Sequence, residues 1–224
     1  MIKKPIYEPK GAAKEYGDLA INIYTGCPHG CYYCYAPKVL HIDKRDFHAH
    51  VEPRSGIVEA VEAQLTRENI CGQMIHLCFT CDPYPTGYDS AATREIIKSL
   101  KAHGNHVQIL TKGNGSRDFD LLGEGDWYGI TLDGTIKDDT FRTRVDGLAE
   151  AHSRGIKTWV SFEPVTDENK FFLELHLVST IVDKVKIGKL NYYPSNIKWG
   201  EFARKAEALC RELGIEYYIF SKIR

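Results

Sequence analysis

Three cysteines, Cys27, Cys31 and Cys34, stand in the stretch YTGCPHGCYYCYA at C-x3-C-x2-C spacing, interleaved with Tyr32, Tyr33 and Tyr35. Thiolates are soft ligands, suited to iron-sulfur clusters and to zinc. A cubane cluster has four irons, so three protein thiolates leave one iron open to an outside ligand. The same cysteines would serve a structural zinc site completed by His29, His41 or Cys71. They would also serve an electron-transfer cluster with Cys71, Cys78 or Cys81 as fourth ligand. The tyrosines fit two roles, packing around such a centre or relaying electrons and hydrogen, with Tyr33 and Tyr35 the candidates for the second.

Residues with this chemistry need a scaffold, and the pattern around them supplies one. LAINIY (19–24) alternates as a strand and delivers the chain into the cysteine loop. SGIVEAVEAQLT (55–66) has apolar residues at helical spacing behind Ser55 as a cap. Further strands are expected at MIHLCF, HVQIL, WYGITL, KTWVSF, VDKVKI and IEYYIF. Helices are expected at about 90–102, 116–122, 137–153, 169–177 and 199–213. Gly104, Gly155 and Gly214 each end a helix just before a strand, where a left-handed residue is needed.

Six or seven strands alternating with helices predict an α/β fold with mostly parallel strands and outer helices. At 224 residues, a partial (β/α)6-type TIM barrel fits better than a complete eight-fold one. Chemistry then gathers at the strand C-termini. There stand the cysteine loop, Thr80-Cys81-Asp82, Thr111-Lys112, Thr131 with Asp133, Glu163, and the segment from Lys186 to Asn191 with Tyr192 and Tyr193. Asp133 and Glu163 at such ends suit ribose hydroxyls or a substrate amine. Lys186, Lys189 and the neighbouring tyrosines suit a nucleotide backbone, although a solvated lysine face has the same composition.

The formal charge of -1 removes the argument for nucleic acid that an overall basic chain would supply. No stretch approaches the roughly 20 uninterrupted apolar positions of a membrane helix. The N-terminal lysines are not followed by the apolar segment of a secretory signal. The expectation is one domain over residues 1–224, cytoplasmic and without membrane contact, whose seven cysteines serve metal or redox chemistry.

The cysteine loop after the first strand of a βα series resembles the radical S-adenosylmethionine (SAM) superfamily. FTCDPYPTGYDSAATREIIKSLKAHG, VQILTKGNGSRDFDLL and YGITLDG follow in order and narrow the likeness to its DNA-repair photolyase-like branch, to which spore photoproduct lyase belongs. The resemblance spans residues 24–162. It implies a [4Fe-4S] cluster on Cys27, Cys31 and Cys34, with SAM on the remaining iron, cleaved by one electron to a 5'-deoxyadenosyl radical that takes hydrogen from a substrate. It implies Tyr33 against the cofactor, Thr80, Cys81 and Asp82 near SAM, Lys112 paired with the SAM carboxylate, and Thr131 close by.

An electron donor of flavodoxin or ferredoxin type and a DNA or nucleotide substrate follow from the same likeness. Within the motifs there is a departure. Spore photoproduct lyase returns hydrogen from a cysteine two positions before the counterpart of Cys81, where this chain has Phe79. A rearrangement or modification of a thymine-derived base is therefore expected ahead of dimer repair. A radical SAM activase or peptide modifier is the second enzyme reading, and an electron-transfer or zinc protein the non-enzyme one.

Overall fold

The computed structural model describes residues 2–135, 138–191, 193–220 and 223, with only the backbone at 138 and 139. Lys137, the expected start of a helix, and Tyr192 lie outside the described residues. The chain forms two compact units, Met1–Trp127 and Tyr128–Arg224.

In the first unit, β1 (Ile6–Tyr7), β2 (Leu19–Ile21), β3 (Met74–Leu77) and β4 (His106–Thr111) lie in chain order. β2, β3 and β4 pair in parallel, Leu19 opposite Ile75 and Ile75 opposite Val107. Antiparallel β1 places Ile6 opposite Ile21. At two residues β1 is too short to show alternation, so sequence reading misses it. Its free polar groups are met by a side chain: Ile6 N donates to Gln64 Oε1 at 2.8 Å, and Gln64 Nε2 donates back to Ile6 O at 3.0 Å. That pairing explains a fully buried glutamine on α3 (Ile57–Glu68).

β4 alternates strictly, with Val107, Ile109 and Thr111 buried. α4 (Ala91–Ala102) covers this core with Thr93, Ile96, Ile97 and Leu100. The segment between the cysteines and α3 forms two short helices, α1 (Ala36–Leu40) and α2 (Lys44–Ala49). Gly56, at φ 67°, precedes α3 in place of the expected Ser55 cap. Residues 116–121 form a 3-10 turn.

The second unit holds β5 (Trp127–Thr131) from Tyr128 onward, α5 (Asp138–Ser153), β6 (Lys157–Val165), α6 (Glu168–Val178), β7 (Lys184–Lys189), α7 (Trp199–Glu212) and β8 (Glu216–Ile219). β6, β7 and β8 pair in parallel, Phe162 opposite Ile187 and Ile187 opposite Ile219. Phe162 meets Phe171 of α6 at 4.8 Å between ring centroids, and Phe171 meets Phe202 of α7 at 4.9 Å. Burial of each such ring contributes about 2 to 3 kcal/mol. The three helix-ending glycines, Gly104, Gly155 and Gly214, all have positive φ, as expected.

The described strands number eight where six or seven were expected, and the α/β class with mostly parallel pairing holds. Among the described residues no helix is long and apolar enough to cross a membrane.

Candidate active site

The cysteine loop begins where β2 ends and is gripped from two sides. Cys27 N donates to Phe47 O of α2 at 3.2 Å, and the His48 ring bonds Cys27 O through Nδ1 at 2.7 Å. Gly26 makes that grip possible: a Cβ there would stand 2.2 Å from His50 O and 2.4 Å from Phe47 O. Gly30, at φ 61°, turns the chain between Cys27 and Cys31. Cys34 N then donates to Cys31 O at 3.1 Å. All three thiols are free and only part-buried.

Among the described residues no three His, Cys, Asp or Glu side chains converge as the ligands of one metal ion do. Three part-buried thiols on one loop, none of them in a disulfide, are a donor set that fits a cluster with one open iron. Burial pushes the Cys27 thiol up, and the Asp82 charge adds to it. Burial also raises Cys34, against the Ala36 N–H and the cations Lys44 and Lys112, which favour its thiolate. Lys112 Nζ lies 5.6 Å from the centre of the Tyr33 ring. The structure thus brings Cys34, Tyr33 and Lys112 together from the first loop and from the end of β4.

Asp82, after β3, is fully engaged. Its Oδ1 accepts from Tyr84 N at 2.8 Å and from Thr111 Oγ1 at 2.5 Å, and its Oδ2 accepts from Lys112 N at 2.7 Å. His29 Nε2 lies 3.1 Å from Oδ2, within ion-pair distance although its N–H is not aimed for a straight hydrogen bond. Burial alone would raise this carboxyl; His29, Thr111 and the Lys112 amide outweigh it and hold Asp82 below the usual range. One carboxylate therefore ties the cysteine loop, the β3 end and the β4 end into one frame. Gly113 lets the Asp82–Tyr84 turn come close, since a Cβ there would stand 2.0 Å from Tyr84 O.

Asn22 sets the turn after β3, its Oδ1 accepting from Phe79 N at 2.8 Å and Thr80 N at 2.9 Å. Cys81 Sγ accepts from Tyr24 N at 3.4 Å, facing the β2 end. The Cys78 thiol sits beside it, pushed far up by burial and by Cys81. Cys78 has φ 68°, a left-handed backbone at the very end of β3. Phe79 stacks on His76 at 4.3 Å and meets Tyr16 edge-on at 5.8 Å. The Tyr35 hydroxyl donates to Phe79 O at 2.7 Å, so this tyrosine braces the cysteine loop against the β3 end. Asn22 and Gly26 escape sequence reading, because only the folded chain shows what they touch; His29, which the sequence offers as a zinc ligand, faces Asp82.

In the second unit, Asp133 follows β5 and turns inward on its own loop, its Oδ1 accepting from Thr135 N at 2.9 Å and Thr135 Oγ1 at 2.5 Å. Thr166 Oγ1 donates to Asp133 O. Buried Thr131 passes its carbonyl to Arg144 Nη1 at 2.7 Å. Glu163 lies over Gly188, where a Cβ would meet Glu163 Cγ at 2.7 Å. Asp133, Thr166, Asp167, Phe171 and Glu174 line a recess too tight to hold a water molecule. Glu174 Oε2 is buried there without a hydrogen-bond partner. Burial and the nearby Asp133 charge push that carboxyl up to about 7.

Lys186 is 6% exposed and stands between aromatic rings, so it does not belong to a solvated lysine face.

The radical SAM superfamily profile matches residues 21–169. An uncharacterised protein of Mycobacterium tuberculosis is 32% identical over 110 residues, 46% of this chain and 32% of the relative. One from Methanocaldococcus jannaschii is 28% identical over 178 residues, 73% of this chain and 65% of the relative. The chain thus spans about a third to two thirds of the curated relatives it matches.

Among solved structures, spore photoproduct lyase complexed with dinucleoside spore photoproduct superposes with TM-score 0.70 at 14% identity, covering 97% of this chain and 80% of that one. Streptococcus suis SuiB bound to S-adenosylmethionine gives TM-score 0.65 at 8% identity, covering 90% and 47%. These likenesses show a shared fold, the radical SAM partial barrel. With the cysteine loop at the end of β2 and a profile match across most of the chain, this protein belongs to the radical SAM superfamily.

Proposed function

We propose that Cys27, Cys31 and Cys34 hold a [4Fe-4S] cluster, and that the enzyme uses SAM to begin a hydrogen abstraction from a nucleic-acid base. When bound, cluster and SAM together supply a 5'-deoxyadenosyl radical by one-electron cleavage of the sulfonium. The chain's own residues position and shield. Lys112 offers a cation for the SAM carboxylate, and Tyr33 offers the ring beside it. Asp82 fixes Lys112 from its backbone side and His29 from its ring, acting as a positioning residue. Thr80 and Cys81 lie on the turn that Asn22 sets. Thr131, Asp133 and Glu163 are the polar groups at strand ends of the second unit proposed for ribose hydroxyls or a substrate amine.

The observation that carries this reading is Lys112 at 5.6 Å from the Tyr33 ring, with its charge felt at Cys34. Two residues separated by most of the first unit's sequence meet at the cysteine loop.

For the substrate, a thymine-derived base is the choice, supported by the motif order and by the fold shared with spore photoproduct lyase. Phe79 offers no thiol hydrogen at its position and is packed on His76, which favours rearrangement or modification over dimer repair. A flavodoxin- or ferredoxin-type protein is the proposed electron donor. The test is anaerobic reconstitution with iron and sulfide, then dithionite and SAM, reading 5'-deoxyadenosine. Deuterated thymidine in DNA should then place deuterium in that product. Zinc occupancy, or a reduced cluster that leaves SAM intact, would sink the reading.

A further inference from the structure

Exposed apolar surface is concentrated just after the cysteine loop. Ten large hydrophobic side chains are exposed among the described residues, and five of them, Tyr32, Tyr35, Val39, Leu40 and Ile42, fall between positions 32 and 42. Single exposed hydrophobics are ordinary, whereas a contiguous group marks an interaction surface. α1 buries only Ala36 and Pro37, leaving Val39 59% and Leu40 39% exposed. His41 ends the helix in a left-handed conformation, φ 56°, and Ile42 N donates to Pro37 O at 3.0 Å. The turn that carries Ile42 is thereby fixed to α1. Lys44 Nζ donates to Tyr32 O at 3.0 Å, which ties the start of α2 back to the cysteine loop.

Every residue from Lys38 to Asp46 is exposed. Lys38, Lys44 and Arg45 are cations, and Asp43 and Asp46 are carboxylates. Asp43 caps α2, accepting from Arg45 N at 2.8 Å and Asp46 N at 3.3 Å, and Asp46 lies in the same first turn. Both carboxylates are set against the positive amide end of α2. The surface therefore has an aliphatic centre and a rim on which cations are in excess.

Cys34 stands two residues before α1. Elsewhere the cysteine loop is covered, Cys27 by the backbone of α2 and His29 by Asp82. Electron transfer weakens steeply with distance, so a protein that reduces a cluster on this loop has to dock where the loop meets solvent, on a side that SAM and substrate leave free. An aliphatic centre fits the apolar benzenoid edge of a flavin, and an excess of cations fits an acidic carrier. A carrier recognised by charge alone would need no aliphatic centre.

We propose that Val39, Leu40 and Ile42, with Lys44 and Arg45 beside them, form the docking surface for the electron donor, and that this donor is an acidic flavodoxin presenting its flavin edge. One electron passes per encounter, lost by the flavin hydroquinone and gained by the cluster, and no bond forms or breaks across the interface. The surface deepens the proposed function and rests on its assignment of a cluster to the cysteine loop.

The test is binding of oxidised flavodoxin to the reconstituted protein, read by biolayer interferometry across a salt series. Val39→Glu combined with Ile42→Glu should weaken binding about 10-fold. Arg45→Glu should weaken it several-fold at low salt and flatten the salt dependence. Leu173→Glu combined with Leu177→Glu, at leucines of α6 that are 62% and 55% exposed, should leave the affinity unchanged. With dithionite the Val39/Ile42 variant should release 5'-deoxyadenosine at the wild-type rate, while release driven by flavodoxin hydroquinone falls with affinity. No saturable binding by wild type, wild-type affinity in the Val39/Ile42 variant, or an equal loss in the α6 variant overturns the surface. Competition by an oligothymidylate, or a dimer in sedimentation that the Val39/Ile42 variant dissolves, also overturns it by naming another occupant. Failure of dithionite to cleave SAM in wild type counts against the proposed function instead, and the binding series is read independently of it.

Discussion

Asp82 is the residue on which the geometry of the first unit's rim turns, and its removal gives the sharpest test. In Asp82→Ala three donors, Tyr84 N, Thr111 Oγ1 and Lys112 N, lose their acceptor. The site is 6% exposed, so water does not replace it freely. Each buried donor left unmet costs about 1 to 3 kcal/mol. The three share one centre and are not additive, so the expected total is about 3 to 5 kcal/mol, the range for a broken buried charge pair. Against a typical total of about 5 to 15 kcal/mol this is a large loss.

Asp82→Asn should cost less, about 1 to 2 kcal/mol. It keeps an acceptor at Oδ1 for Tyr84 and Thr111, but sets an amide N–H against the Lys112 N–H. Urea unfolding followed by far-UV circular dichroism gives the magnitudes. Amide exchange at Tyr84 and Lys112 shows whether the loss is local. The pH dependence has a definite sign. The folded carboxyl is held below its ordinary value of 3.8, so its stabilisation is present above about pH 3.8 and is lost as pH falls through the lower folded value. The gap between wild type and Asp82→Asn must therefore close in acid. A loss below about 1 kcal/mol in Asp82→Ala, or an Asn variant weaker than the Ala variant, refutes the frame argument.

Other perturbations follow from single contacts. Glu174 is raised from 4.5 to about 7, so the folded state keeps a proton that the unfolded state has shed. Its contribution is complete below about pH 4.5 and lost as pH climbs toward 7. Between 4.5 and about 7, at 1.36 kcal/mol per pH unit, this is about 3.4 kcal/mol, and solvent screening at a carboxyl that is not fully enclosed reduces it to about 2. Glu174→Gln should then gain that amount over wild type at pH 8 in thermal melts, and parallel curves from pH 4 to 8 would contradict the assignment. Gly26→Ala forces the loop off α2, where backbone oxygens lie 2.2 and 2.4 Å from the new Cβ; iron bound per chain after reconstitution should fall by more than half. Lys112→Met should raise the SAM concentration needed for half-maximal 5'-deoxyadenosine release by about 10-fold, the value of one charge-assisted contact. Unchanged SAM dependence would remove Lys112 from the cofactor site.

The cysteine triad could be read from sequence because its spacing is local, and the helix exits because glycine announces a left-handed turn within one residue. The contacts that position those cysteines could not. Gly26 is required by the backbone of α2, more than twenty residues downstream. Asn22 matters through amides at 79 and 80, and His29 through a carboxylate at 82. Spacing reports what neighbours in the chain share, while these roles depend on which strand end lies beside which.

Lys186 shows the same limit from the other direction. Polar residues alternating with apolar ones in KVKIGK read as a strand with one wet face, which is sound for an edge. β7 lies between β6 and β8, and its Lys186 faces Trp159 and Tyr218 instead of water. A lysine carried at such a position is retained against the desolvation it suffers.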